Sequence, residues 1–283
     1  MASKNYRRKP ITKRKSNTAS KWVFYMISFV LLLFVVVGIY KFRDGFLYYL
    51  GFKTDKNVET LSKEERKLAD IRIYEVLHKH DDKAIGFDVS EYQSEIDWEQ
   101  TYHIDQSFEL SFVFIRATAG KNKVDSRFKE NWKASKEREL IRGAYHYYRP
   151  NENSIEQAEN FIKTVKLQKG DLPPVLDIEK LPKSQSIDSL KVGLRRWLKK
   201  VEKHYKVKPI IYSGESYYTD FLKEEFSEYP LWIANYNFWR NDLESDWQFW
   251  QFTEKAQIEG IKGMVDINIF NGDKNKLLLK CIR

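Results

Sequence analysis

The sequence has 283 residues, of which 42% are hydrophobic and 15% aromatic; this composition excludes a disordered chain and permits one large core or two small ones. Its formal charge of +9 would suit a nucleic-acid ligand, but eight Lys/Arg and no acid lie in residues 1–21. The other 262 residues hold 41 Lys/Arg against 40 Asp/Glu, so no nucleic-acid partner is expected.

The first predicted element is a transmembrane anchor over residues 22–40. These 19 residues carry no charge and would span about 28 Å as a helix, which matches the hydrocarbon core of a bilayer. A cleaved signal peptide is the alternative, but the apolar run is longer than usual and no small-x-small cleavage site follows it. The basic tail 1–21 precedes the span, so we expect a single-pass protein of the cytoplasmic membrane. Its N-terminus would be cytoplasmic, and the rest of the chain would lie on the periplasmic or cell-wall side.

A helical spacer is predicted next, over residues 41–81. Ser62 and Glu65 have the spacing of a capping box, and they precede an apolar series of Leu68, Ile71, Val76 and Leu77. The pattern changes to short apolar runs from residue 84, and the main domain is predicted over 82–283.

Short apolar runs in the main domain predict eight strands, at 84–90, 111–118, 141–148, 173–179, 209–213, 230–236, 247–252 and 263–270. Helical patterns fall between several of them, at 126–140, at 154–167 with Ser154 and Gln157 as a capping box, at 187–205 and at 215–226. This alternation predicts an α/β fold with a parallel sheet, closed by its eight strands into a TIM-like barrel. Only about ten residues separate the last three strands, too few for a helical crossover. The barrel should therefore be irregular, with helices around its first five units.

Four acids fall at predicted strand ends, where barrel sites gather. Asp177 and Glu179 alternate at the end of the fourth strand, Asp88 lies near the end of the first, and Asp266 lies in the last. Asp88 could instead cap a turn, and Asp266 could pair with Arg116. Like charge and partial burial should let Glu179 keep a proton near neutral pH and act as a general acid. An acid and a second carboxylate are what glycoside hydrolysis requires.

Aromatic residues are also frequent near these strand ends. Most aromatics belong to a core, but the flat apolar body and polar tip of Tyr and Trp suit sugar rings. Five of them are candidate substrate-binding residues: Tyr145, Tyr147, Tyr212, Trp232 and Trp250. His146 fits a buried structural position and a site position equally well.

Other chemistries find little support in the sequence. Its one thiol, Cys281, is the third residue from the end of the sequence, and its five His residues lack zinc-site spacing. The sequence contains no Gly-x-Ser-x-Gly elbow and no phosphate-binding glycine loop. We therefore expect neither a metal nor a cofactor.

Residues 82–283 resemble the glycoside hydrolase family 25 lysozymes, which are N-acetylmuramidases. The resemblance rests on a series of motifs in the family's order: GFDVSEYQSEIDW, FVFIRATAG, RGAYHYYRP, LPPVLDIE, PIIYSG, LWIANY, WQFWQFT and GMVDINIF.

The resemblance implies an irregular (β/α)5(β)3 barrel that cleaves the β-1,4 bond from N-acetylmuramic acid to N-acetylglucosamine in peptidoglycan. It implies Glu179 as the catalytic acid, Asp177 as its assisting carboxylate, and Asp88 and Asp266 as the other site acids. One position departs from the family, because Ala119 stands where many members have the Glu of Thr-Glu-Gly.

Two other functions stay open at this stage, a catalytically silent cell-wall-binding module and a chitinase-like glycosidase. The intact Asp-x-Glu pair disfavours the first. Val175 disfavours the second, because chitinase-like barrels typically have another Asp at that position. Peptidoglycan glycan strands and, through residues 22–40, a lipid bilayer are the expected partners, and the sequence specifies no protein partner.

Overall fold

The structure is a computed structural model that describes residues 22, 25–33, 36, 61–104, 107–244 and 246–283. The chain divides into two compact units, Met1–Lys53 and Thr54–Arg283. In the first unit the described residues are helical and exposed, and across the described chain no helix is both long and apolar enough to cross a membrane. The predicted tail 1–21, part of the predicted anchor 22–40 and residues 41–60 of the predicted spacer lie outside the described residues.

The second unit is built around a closed barrel. The strands of the described chain are β1 (Ile85–Val89), β2 (His103–Ile104), β3 (Phe108–Ala119), β4 (Lys123–Val124), β5 (Ile141–Tyr147), β6 (Val175–Asp177), β7 (Ile210–Gly214), β8 (Leu231–Ala234), β9 (Phe249–Ala256) and β10 (Val265–Phe270). Eight of them pair around the barrel in the order β1, β3, β5, β6, β7, β8, β9, β10 and back to β1. The α/β barrel and all eight predicted strands are therefore confirmed.

Strand direction sets which ends meet at the site. The pairings from β1 through β3 to β9 are parallel, whereas β10 is antiparallel to both β9 and β1. The start of β10 thus lies beside the carboxyl ends of the other strands.

Helices cover the outside of the barrel. They are α1 (Lys63–Lys79), α2 (Phe128–Glu137), α3 (Ser154–Thr164), α4 (Ile187–Tyr205), α5 (Glu215–Tyr217), α6 (Lys223–Phe226) and α7 (Lys274–Leu278), with a π-helical stretch, Tyr218–Leu222, between α5 and α6. The first crossover differs from the prediction, because its described residues hold two 3-10 turns, Glu91–Gln93 and Trp98–Gln100, and no α-helix. At α3 the cap is Asn153 instead of Ser154: its side chain accepts from the amides of Ile155 at 2.9 Å and Glu156 at 3.2 Å.

Helix α1 begins as the sequence predicts but buries only the second half of the predicted apolar series, Val76 and Leu77. Ser62 and Glu65 form the capping box. Leu68 and Ile71 are exposed, and the buried side chains are Ala69, Arg72, Ile73, Val76 and Leu77, which face the barrel next to β9. Part of the predicted spacer is thus packed against the main domain.

The barrel interior is filled mainly by aromatic rings. The indole of Trp232 stacks on Phe114 with ring centroids 4.3 Å apart, and Phe249 packs edge-on against Phe114 at 5.1 Å. Gly143 makes room for this layer, because a Cβ there would lie 2.5 Å from the Phe114 ring. This apolar layer fills the interior of the barrel, and polar side chains lie at the carboxyl end of its strands.

Candidate active site

Strand register brings the predicted acids to one end of the barrel. Asp177 ends β6, two residues beyond the inward-facing Val175, and so points into the barrel. Asp88 of β1 pairs with Asp266 of β10, which reaches the same end because β10 runs in the opposite direction. Asp88, Asp177 and Asp266 are buried and Glu179 is half-buried, so Glu179 is the acid most open to a ligand.

Two tyrosines lie close enough to the four acids for the acids' charges to affect their pKa values. Burial raises the pKa of Tyr145 well above its usual value; Arg116 opposes this shift, and the negative charges of Asp88, Asp177 and Asp266 add to it. Burial likewise raises the pKa of the Tyr236 hydroxyl, with further contributions from Asp266, Glu254 and Glu179. Both phenols therefore keep their protons at neutral pH and can donate hydrogen bonds.

Asp88 is fixed by an amide network that the sequence analysis missed. Its Oδ2 accepts from Gln251 Nε2 at 2.6 Å and from Asn268 Nδ2 at 2.9 Å. The amide oxygens are satisfied in turn: Gln251 Oε1 accepts from the hydroxyls of Tyr212, at 2.7 Å, and Tyr236, and Asn268 Oδ1 accepts from Trp232 Nε1 at 2.8 Å. The only sequence signal for these amides is their spacing, since 249, 251 and 266, 268 alternate on the inward face.

The backbone around Glu179 is held on both sides. Ile178 N donates to the carbonyl of Tyr212 at 3.0 Å, and the Ile178 carbonyl accepts from Ser213 Oγ at 2.8 Å. The Lys180 carbonyl accepts from the Tyr217 hydroxyl at 3.0 Å. These hydrogen bonds fix the backbone on either side of Glu179 and so orient its side chain before a ligand binds.

In the structure, other residues cap the turn after β1 and pair with Arg116. Ser90, not Asp88, caps the following turn, because its Oγ accepts from the amide of Tyr92 at 3.3 Å. Arg116 is paired with Asp125, at 2.8 Å, and with Glu91, at 3.0 Å. Burial opposes ionisation of Glu91, but bonds from Ser126 and Lys123 and the charge of Arg116 lower its pKa to about 2.

The predicted aromatic residues divide between two layers. Tyr145, Tyr212 and Trp232 lie inside the barrel beneath or within the acid network, and Tyr147, half-buried, is in register with Asp177. Trp250 is fully buried on the other face of β9, where its Nε1 donates to the carbonyl of Asn235 at 3.1 Å. The structure therefore does not bring Trp250 together with the acids.

His146 is a buried structural residue. Its Nδ1 lies 2.7 Å from Thr118 Oγ1, its Nε2 lies 3.1 Å from Gln157 Oε1, and its ring stacks on Trp197 of α4 with centroids 5.5 Å apart. Burial lowers its pKa to about 3. The imidazole is therefore neutral and fully occupied, on the side of the sheet away from the acids.

A closed barrel with a half-buried glutamate, three buried aspartates and protonated tyrosines at its carboxyl end has the groups of a glycoside hydrolase. Comparison with known proteins agrees and is more specific. Residues 87–261 match the model of glycosyl hydrolases family 25, and the chain belongs to that family.

Relatives extend the match along most of the second unit. YegX of Escherichia coli K12 is 44% identical over 194 residues, which are 68% of this chain and 71% of YegX. Lysozyme M1 of Streptomyces globisporus is 33% identical over 208 residues, covering 68% of this chain and 69% of that protein. The crystal structure of a bacterial lysozyme from Streptomyces coelicolor superposes with a TM-score of 0.63 at 28% identity, covering 70% of this chain and 97% of that one. The chain is therefore a glycosidase with the family 25 fold.

Proposed function

We propose that this protein is a peptidoglycan hydrolase that cleaves the β-1,4 bond between N-acetylmuramic acid and N-acetylglucosamine. The observation that carries the proposal is the position of Asp177 and Glu179 at the end of β6, with Asp88 and Asp266 at the same end of the barrel. The lysozymes among its relatives support the choice of substrate.

Each acid has a role that follows from its surroundings. Glu179, the most open of the four, protonates the oxygen of the leaving sugar. Asp177 lies beside it and stabilises the positive charge that develops on the sugar ring. Asp88 is held in place by the two amide hydrogen bonds that it accepts, and with Asp266 it offers ligand contacts at the same end.

Mass spectrometry of fragments released from purified peptidoglycan tests this function. The full-length chain in detergent should release fragments that end in reducing N-acetylmuramic acid, and the Glu179→Gln variant with the same circular dichroism spectrum should release none. No release by either protein, with binding retained, would instead indicate a cell-wall-binding module. In that case Ala119 would be the first position to restore to Glu.

We also propose that residues 22–40 anchor the protein in the cytoplasmic membrane, with tail 1–21 in the cytoplasm and the glycosidase on the outer side. Support comes from the uncharged run and the basic residues before it, and from the exposed apolar side chains of the helical residues 25–33, including Phe29 and Leu32. Protease added to intact spheroplasts should remove the barrel and spare an epitope at the N-terminus. Protection of the barrel, or its loss with a soluble fraction, would refute the anchor.

A further inference from the structure

We propose that the loop of residues 237–242, called here the aromatic loop, binds a further sugar ring of the glycan strand, and that helix α1 holds it in place. The stacking surface would be Trp239, supported by Phe238. This inference rests on the proposed function for the identity of the glycan, and it concerns rings beyond the two at the cleaved bond.

Trp239 is the exception among the tryptophans of the second unit. It is 76% exposed, whereas the other six in the unit are buried or half-buried. Phe238 packs edge-on against it, with ring centroids 5.2 Å apart, and is itself 38% exposed. An exposed aromatic pair on a connecting loop is a recurring feature of ligand-binding surfaces.

The aromatic loop begins at the acid network. It follows β8, whose carboxyl end lies at the site end of the barrel, and Tyr236 immediately before it donates to Gln251, which donates to Asp88. Trp239 is three residues beyond Tyr236, so the two Cα atoms lie at most about 11 Å apart, and we place the indole at the rim of the same site on this ground. A glycan strand lying across the acids would meet it.

Arg72 of α1 fixes the backbone on both sides of Trp239. This arginine is 5% exposed, and its guanidinium donates to the carbonyls of Phe238 at 3.2 Å, Arg240 at 3.0 Å and, on β9, Phe252 at 3.2 Å. One buried cation thus ties the aromatic loop to the barrel wall.

The rest of the aromatic loop is held from both flanks. On the α1 side, His80 Nε2 lies 3.0 Å from the carbonyl of Asn241, and Lys79 pairs with Asp242 at 3.3 Å. On the site side, Arg240 pairs with Glu215 of α5 at 3.1 Å. The backbone is therefore ordered before a ligand arrives, so a sugar that stacks on Trp239 pays little ordering entropy.

The chemistry of the rim fits an amino-sugar glycan. An indole offers a flat apolar face to the C–H groups of a pyranose ring, and the neighbouring Arg240 and Glu215 offer a donor and an acceptor for its hydroxyl and acetamido groups. Helix α1 lies before the residues matched by the family model, so this platform depends on a part of the chain outside that match.

Kinetics of the full-length chain on purified peptidoglycan oligosaccharides of four and eight sugars test the platform. Trp239→Ala should raise KM about tenfold for at least the longer substrate and leave kcat within about twofold, since stacking holds the strand without touching the reacting atoms. Leu279→Ala, which removes another exposed apolar side chain, is the control and should change neither. A KM within twofold of the wild type for both substrates would overturn the proposal.

The contribution of Arg72 is tested by a double-mutant cycle. Arg72→Met should raise KM in the wild-type background but add little to Trp239→Ala, because both changes remove the same platform. An equal effect in the two backgrounds would show that Arg72 does not act through Trp239. Should Arg72→Met fail to fold, Trp239→Ala alone decides the matter.

A wild-type chain that cleaves no peptidoglycan would refute the proposed function instead, and tryptophan emission on adding octasaccharide would then show whether Trp239 still binds glycan.

Discussion

Two buried polar clusters lie on opposite faces of the barrel wall, and only one of them is suited to catalysis. On the outer face, His146 has both ring nitrogens occupied, by Thr118 and Gln157, and is covered by Trp197. On the inner face, the hydrogen bonds of Gln251 and Asn268 converge on Asp88, in the same acid cluster as the half-exposed Glu179. The difference lies in where the network ends: the outer one closes on itself, and the inner one ends on charge that a ligand can reach.

Removal of the acid from the inner cluster should have the largest effect on activity. Glu179→Gln keeps the shape of the side chain but cannot donate an acidic proton, so kcat should fall about 10³-fold. The free energy of unfolding should change by no more than about 0.5 kcal/mol, since the side chain is half-exposed. Steady-state assays beside urea unfolding check both values, and a large loss of stability would contradict the separation of the two clusters.

The opposite outcome is expected for the outer cluster. His146→Ala leaves a cavity against Trp197 and an unpaired Thr118 hydroxyl, so the free energy of unfolding should fall by about 3 kcal/mol. Below the unfolding transition, kcat/KM should stay within about twofold of the wild type. A loss of kcat in a folded variant would place His146 in the catalytic machinery after all.

Gln251 links side chains of the inner cluster and should affect both properties. Gln251→Leu removes a donor to Asp88 and the acceptor for the hydroxyls of Tyr212 and Tyr236. We expect a loss of about 1–2 kcal/mol in stability and a fall in kcat/KM of about 30-fold, because Asp88 loses its orientation. Thermal unfolding and kinetics distinguish this joint effect from a purely structural one, which would spare kcat.

The smallest effect is expected at Glu91, which supports Arg116 from outside both clusters. Its pKa is lowered to about 2 in the folded chain, from the usual 4.5. The unfolded chain therefore binds the proton more readily than the folded chain, and ionised Glu91 stabilises the fold above pH 4.5. Glu91→Gln should lower the free energy of unfolding by about 1 kcal/mol at pH 7, because a partly exposed ion pair contributes little to stability. The difference from the wild type should shrink as pH falls from 4.5 to 2. A difference that is constant across that range would refute the ionic contribution.

Sequence patterns predicted the barrel well because long apolar runs record burial on both faces of a strand. The same patterns were less informative about the site, which depends on whether a strand residue points into or out of the barrel. In WQFWQF, inward and outward residues are equally aromatic, so Trp250 looked as suitable as its neighbours although it lies on the outer layer. Gln251 and Asn268 carry no charge, and nothing in the sequence marks an amide as the partner of a carboxylate.

Helix α1 shows a second limit of sequence patterns. Of the four residues that predicted its apolar face, Val76 and Leu77 are buried, but Leu68 and Ile71 are exposed and Arg72 is buried instead. A guanidinium surrounded by three backbone carbonyls is satisfied without an acid, and such carbonyls leave no trace in the sequence.

The reversed direction of β10 has a practical consequence for handling the enzyme. It returns the chain to the amino ends of the other strands, where Ile282 exchanges backbone hydrogen bonds with residues 170 and 171 ahead of β6. A peptide tag or a solid support joined after Arg283 would therefore leave the acid end of the barrel open to solution. The single thiol, Cys281, lies in the same region, but burial raises its pKa to about 11, so coupling through it would be slow at pH 8. Immobilisation through the last residue is the better route to an active surface.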